Sequence, residues 1–341
     1  MGPPIALGTT SVRALAPADL AGVVAIDASI EGRSRRGYIE RRLQAALREP
    51  ALHAQFAAVD ERGIAGYLLA RVLAGEFGDG ERKLRIELVG TRAELRGHGI
   101  GTRLFDALST WSGRHVISAM RTQASWRDRR MLAWLDRRGF SLAPAQVLEC
   151  IIDTEKWSPE RDDAMGPADA EDATAEIDFG RHDCNDFERA RHGAADVRSM
   201  TAADLDDIVA LDRRVSGRDR RDYLRGRLEE ALDDSTLRVS LAARRGGVLA
   251  GFLMARADHG DFGRTEPVAV LDTIGVDPAQ LRQGVARALV TQLFANLAAL
   301  RIERVETVVT PDDESLAAFL HAAGFVPSQR LAFVRALENG A

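Results

Sequence analysis

Arg96-Gly97-His98-Gly99-Ile100-Gly101 is the stretch on which the reading of this chain turns. The alternating run Leu84–Thr91 precedes it, and Thr102–Trp111, with apolar residues at helical spacing, follows it. A strand therefore runs into a glycine turn and leaves it as a helix. Glycines in such a turn let successive backbone N–H groups converge at the positive end of the helix dipole. An anion, most simply a phosphate, suits that position. No Gly-Lys-Ser/Thr ending follows, so a Walker loop is excluded. A dinucleotide fingerprint needs a further glycine three residues after the second, where Leu104 stands.

The turn occurs twice. Shifting the chain against itself by 185 positions, without a gap, lays Leu281-Arg282-Gln283-Gly284-Val285-Ala286 on it. The same shift lays Val12-Arg13 on Val197-Arg198, Ala18-Asp19-Leu20 on Ala203-Asp204-Leu205, and Arg35-Arg36 with Tyr38 on Arg220-Arg221 with Tyr223. Gly75-Glu76-Phe77-Gly78 meets Gly260-Asp261-Phe262-Gly263, and Gly139-Phe140 meets Gly324-Phe325. Two copies of one domain are expected, over residues 10–152 and 196–338. Between them, 153–195 turns acidic, loses apolar periodicity and carries Pro159 and Pro167, as a linker would.

Each copy reads in one order. A short strand leads to a helix started near Asp19 or Asp204, then to a second helix around Tyr38–Leu47 or Tyr223–Leu232. Two strands follow, Gln55–Val59 with Gly66–Val72 and Arg238–Ala243 with Gly251–Ala257, and then the strand before the turn, Leu84–Thr91 or Val268–Val276. The helix after the turn, Arg287–Leu297 in the second copy, precedes a late strand, His115–Thr122 or Arg304–Thr310. Another helix and the Gly-Phe pair close each copy. The expected fold class is α/β with a mixed sheet flanked by helices.

The spacing of the turn, the strand before it, the helix after it and the later Gly-Phe together resemble the Arg/Gln-x-x-Gly-x-Gly/Ala motif of the GCN5-related N-acetyltransferases (GNAT superfamily). The resemblance covers both copies. It implies two tandem acyl-CoA N-acyltransferase folds, each with a partly splayed sheet, and acetyl-CoA as cosubstrate. It further implies that backbone near Val89 and Thr91, and near Ile274 and Val276, grips the pantetheine arm. Arg96, Gly97, His98, Gly99, Ile100, Gly101 and Thr102, and Arg282, Gln283, Gly284, Val285, Ala286 and Arg287, would hold the phosphates. Arg96 matches the motif's first position, whereas Leu281 does not.

Acetyl transfer to an amine calls for a base to take the ammonium proton and an acid for the thiolate. Glu87 and Asp272 hold equivalent places on the strand before the turn and are candidate bases; pairing with arginine, or pointing into solvent, is the alternative for both. Similar enzymes often carry a tyrosine four residues before the Gly-Phe glycine, where this chain has Leu135 and Leu320. Tyr38 and Tyr223 are the candidate substitutes. Arg33, Arg36, Arg218 and Arg221 lie in the region that walls the acceptor site in relatives and could clamp an anionic group, or else solvate helix ends. The acceptor is expected to be a small-molecule or peptide amine. A catalytically silent acyl-CoA-binding protein is the alternative.

Bulk properties narrow the rest. The apolar share of 45% and charged share of 28% are those of a soluble globular protein. A net charge of −5 gives no case for nucleic acid or an anionic membrane surface. Two cysteines, Cys150 and Cys184, are too few for a disulfide framework, so a cytoplasmic location is expected. No signal peptide is visible, and no apolar run has the length of a membrane span. The seven histidines show no metal-ligand spacing, and no metal is expected.

Overall fold

A computed structural model describes residues 10–73, 82–153, 195–233, 238–258 and 267–337. The Gly75–Gly78 and Gly260–Gly263 pair, most of the expected linker and Cys184 lie outside these residues. The first repeat runs β1 (Ser11–Ala14), α1 (Leu20–Glu31), α2 (Arg36–Arg48), β2 (His53–Asp60), β3 (Gly63–Leu73), β4 (Lys83–Thr91), α3 (Ile100–Arg114), β5 (Ala119–Ser125), α4 (Arg129–Arg137) and β6 (Ser141–Ile151). The second follows the same order: β7 (Asp196–Ser199), α5 (Leu205–Ser216), α6 (Arg221–Asp233), β8 (Arg238–Arg245), β9 (Val248–Asp258), β10 (Val268–Val276), α7 (Val285–Ala299), β11 (Arg304–Val309), α8 (Glu314–Ala322) and β12 (Val326–Ala336).

Two differences from the sequence reading stand out. The late strand of the first repeat begins at Ala119 rather than His115. His115 instead caps α3, its ring stacked on Trp111 at 3.7 Å with Nδ1 2.8 Å from the Trp111 carbonyl. Each repeat also ends in an eleven-residue strand, β6 or β12, beyond the Gly-Phe pair.

Those last strands decide the architecture. The twelve strands of the described residues form one sheet in the order β1-β2-β3-β4-β5-β12-β6-β11-β10-β9-β8-β7. The terminal strand of the second repeat thus pairs with β5 of the first, Arg330 opposite Ser125. The terminal strand of the first pairs with β11 of the second, Val147 opposite Val308. The two exchanged strands pair with each other at the centre of the sheet. The cores record the exchange: Phe333 is buried among Leu104, Phe105 and Leu108 of α3, while Leu148, Cys150 and Ile152 are buried among Leu289, Leu293 and Leu297 of α7. Apolar area contributed by each repeat therefore stabilises the other.

On the opposite sheet face, α1 and α2 cover a core of Val23, Ile26, Tyr38, Ile39, Leu43, Tyr67 and Leu88, and α5 and α6 cover its counterpart. Among the described residues, no helix is long and apolar enough to cross a membrane.

Candidate active site

β4 and β5 run parallel but pair only from Lys83 to Arg85 against Ala119 to Arg121. At the fork the Thr122 hydroxyl donates to the Ile86 carbonyl at 3.1 Å, and the strands then part. The second repeat repeats this: β10 and β11 pair only at Ala269–Val270, and Thr307 donates to the Leu271 carbonyl at 3.1 Å. Separation leaves one edge of β4 without a strand. Arg92 N–H bonds to Ala65 O across β3 at 3.0 Å. Because strand backbone alternates, Val89 and Thr91 turn their polar groups to the opposite, open edge. Asp277 N–H bonds to Ala250 O at 2.9 Å, which turns Ile274 and Val276 the same way.

At the end of β4 the glycine turn opens into α3. Gly97 and Gly99 have φ of +81° and +80°, the left-handed region that glycine enters at least cost. Gly99 is the N-cap of α3, so the unsatisfied N–H groups of the first helical turn face the same exposed surface as residues 96–99. The turn fits an anion on this geometry. In the second repeat Gly284 (φ +82°) caps α7, but Arg282 holds the left-handed position of Gly97 at φ +61°. Gln283 there accepts a hydrogen bond from Arg245 and donates to Ala279 O at 3.0 Å.

A cavity of about 370 Å³ lies in the first repeat's fork. Leu88 and Val89 of β4 line one side and Ala124 and Ser125 of β5 the other. Ile30, Glu31 and Arg35 close it from α1 and the segment after it, Asp128 and Met131 from the N-cap and first turn of α4, and Arg330 from the exchanged strand β12. Under this wall lies a buried network. Arg35 forks onto Asp27 at 2.9 and 2.5 Å, and Tyr67 donates to Asp27 at 2.7 Å. Glu31 sits 3.5 Å from Arg35. Burial, with Asp27 alongside, pushes the Tyr67 hydroxyl well above the ordinary tyrosine range.

The other residues singled out by sequence fall elsewhere. Glu87 and Asp272 are the bulge residues of their strands, skipped between Ile86 and Leu88 and between Leu271 and Thr273 in the pairing with the preceding strand. Glu87 is 1% exposed and lies 2.7 Å from both Arg42 and Arg71. Asp272, 2% exposed, pairs with Arg256. Burial and the neighbouring Arg256 and Arg42 lower Arg71 to about 10. Tyr38 is buried in the α1–α2 core, with Arg42 5.3 Å over its ring. Tyr223 is half-buried, its hydroxyl 3.4 Å from Thr273 Oγ1. Arg33, Arg36, Arg218 and Arg221 are exposed, and Arg221 pairs with Asp206 at 2.8 Å. None of these lines the cavity.

Glu31, Tyr67, Asp128 and Arg330 do line it, and sequence reasoning assigned them no role. For Tyr67 a signal existed, because the shift of 185 places it on Phe252 while Asp27 and Arg35 fall on Asp212 and Arg220. Arg220 grips Asp212 in the same forked way, with Nε 2.9 Å from Oδ2.

The sequence profile of the acetyltransferase (GNAT) family matches residues 24–140 and 203–325, one segment in each repeat. A tandem GNAT protein from the clavulanic acid biosynthesis pathway superposes with a TM-score of 0.62 at 16% identity, covering 98% of this chain and 99% of that one. A GCN5-related N-acetyltransferase from Sphaerobacter thermophilus gives 0.57 at 15% identity, over 96% and 95%. The GCN5-related glucosamine N-acetyltransferase region of a fungal multi-domain GH3 beta-N-acetylglucosaminidase gives 0.61 at 16% identity over 97% of this chain, which spans 38% of that protein. At such identities the likeness is one of fold. No curated protein matches by sequence.

Proposed function

The chain belongs to the acetyltransferase (GNAT) family, and on that premise we propose that it transfers an acetyl group from acetyl-CoA to a primary amine in the cleft of its first repeat. The observation that carries this reading is the parting of β4 from β5 after Arg85, over a cavity that Glu31 helps to close. Val89 and Thr91 would hold the pantetheine at the open strand edge, and residues Arg96 to Thr102 the pyrophosphate. Bound acetyl-CoA supplies a thioester whose carbonyl the amine attacks, the C–N bond forming as the C–S bond breaks and CoA leaving as thiolate, which takes up a proton from water.

We assign Glu31 the acceptor's proton, because its carboxylate is at the cavity wall with a side-chain exposure of 13%. Glu87 and Asp272 are held by buried arginines at the bulge, and in this scheme they position β4 and β10. Tyr67 is a poor proton donor to a thiolate, since its proton is committed to Asp27 and its acidity is suppressed. It braces the Asp27–Arg35 pair instead.

A second reading applies to the second repeat alone: acyl-CoA binding without turnover. It is favoured by Ser216, which stands at the position of the base Glu31. Calorimetric titration with acetyl-CoA should give two unequal sites. Gly99→Glu and Gly284→Glu, which place a carboxylate against phosphate, should each remove one. Thiol release against a panel of amines then tests turnover. Glu31→Gln is expected to lower it by about 10²–10⁴-fold at unchanged acetyl-CoA affinity. Unaltered binding in the double glycine variant would sink the phosphate assignment, and full activity of Glu31→Gln would sink the base.

A further inference from the structure

The duplicated sequence supplies an internal control for the cleft. Residues that build its frame recur: Asp27 and Asp212, Arg35 and Arg220, Asp128 and Asp313. Three other charged residues of its wall do not. Arg127 and Arg330, both on the cavity wall of the first repeat, fall on Asp312 and Ala145, and Glu31 falls on Ser216. Pairing makes the correspondence structural: Leu331, next to Arg330, lies opposite Ala124, and Gln146, next to Ala145, lies opposite Val309 at the matching step of the second repeat.

Arg330 is therefore not demanded by the strand exchange, since alanine fills the same place in the other half. It is nonetheless buried, 7% exposed, with Nη2 3.3 Å from the Gln123 carbonyl. Burying a guanidinium costs free energy unless it is paired and hydrogen-bonded, and the equivalent position of the other half does without one. Arg127 stands two residues beyond Ser125, at the exposed mouth of the same cavity, its guanidinium 5.5 Å over the Trp126 ring. Two cations thus flank the end of β5, one from each repeat. Glu31 closes the cavity from α1. A wall with paired guanidinium groups and a separate carboxylate complements a molecule with an anionic end and an ammonium end.

We infer that the first repeat selects an acceptor amine that also carries a carboxylate, with Arg330 and Arg127 binding the carboxylate and Glu31 facing the ammonium. This rests on the acetyl-transfer reading of the same cleft. The second repeat, with Asp312 and Ala145 in place of the two arginines, has no such preference. The specificity of one repeat is therefore supplied partly by the terminal strand of the other.

The test uses the full chain, saturating acetyl-CoA and matched acceptors: amino acids of several chain lengths, the amide of each, and the amine lacking the carboxylate. The parent should favour the acids by about 10–100-fold in kcat/KM, the range of hydrogen bonds to a charged group. Arg127→Ala, at an exposed position, and Arg330→Met, which keeps the buried bulk, should erase most of that preference by raising KM for the acids alone. Acetyl-CoA affinity, read by calorimetry, should stay within about twofold. Turnover that ignores the carboxylate, or variants that slow acids and amides equally, would overturn the inference while leaving acetyl transfer standing. Weakened acetyl-CoA binding in either arginine variant would place these residues on the cosubstrate and overturn it as well. A phosphorylated amine preferred to every carboxylated one overturns the choice of anion. Failure of the parent to bind acetyl-CoA overturns the reading beneath it.

Discussion

Tyr67 and Phe252 occupy one position in two settings that otherwise share a forked, buried arginine–aspartate pair. Phenylalanine is thus compatible with the fold there, and Tyr67→Phe removes one hydrogen bond from an aspartate that keeps Arg35. A loss of about 1 kcal/mol in urea unfolding is expected. Asp27→Asn strips the buried Arg35 of its main partner and should cost about 3–5 kcal/mol. Equal costs would refute the division of labour drawn between hydroxyl and carboxylate. His53 gives a residue-level dependence on pH. Burial, aided by Arg42 and Arg71, lowers its imidazole from 6.5 to about 4, while Glu230 pulls the other way. The unfolded chain then binds a proton that the folded chain refuses. The stability tied to neutral His53 is present above pH 6.5 and is lost as pH falls toward 4. Melting temperatures between pH 7 and pH 4 should fall less for His53→Gln than for the parent.

Among elements, the glycine turns show how far local rules reach. Arg282 holds a left-handed backbone conformation where the first repeat has Gly97. The conformation costs an arginine about 1–2 kcal/mol, and glycine's greater freedom when unfolded returns about half of that. Arg282→Gly should therefore raise stability by up to about 1 kcal/mol, and Gly97→Arg should lower it by a similar amount, in denaturant titrations of single variants. The turn, the helix after it and the strand before it were readable because each is specified by contiguous residues. Strands β6 and β12 were not. Pro144 and Pro327 interrupt their alternation, and their burial is conferred by partners about 150 to 200 residues away. The cleft was legible to the same degree. Val89, Thr91 and the turn follow from their strand and helix, whereas Arg330 enters from a segment with no local link to the site. Glu87 and Asp272 could be placed on the right strand but not at its bulge, where an extra residue changes the direction of the side chain.

At the scale of the whole molecule, the exchange of terminal strands makes each half incomplete. Residues 10–152 alone would leave β5 with an open edge and β6 without a flanking strand. Two such chains can satisfy each other by giving β6 to the neighbour's β5, which reproduces the central pairing of the intact sheet. The isolated first repeat is expected to be a dimer by light scattering. A well-folded monomer would show that the exchange is dispensable. Even as a dimer it would carry Ala145 where the intact chain presents Arg330. The same exchange has a consequence for manufacture in the cell. Ser125 leaves the ribosome about 200 residues before Arg330, its partner. At elongation rates of about 5–20 residues per second, the nascent first repeat waits about 10–40 s with an unfilled slot in its sheet. During that interval it is open to chaperones, and to identical slots on neighbouring nascent chains of the same polysome.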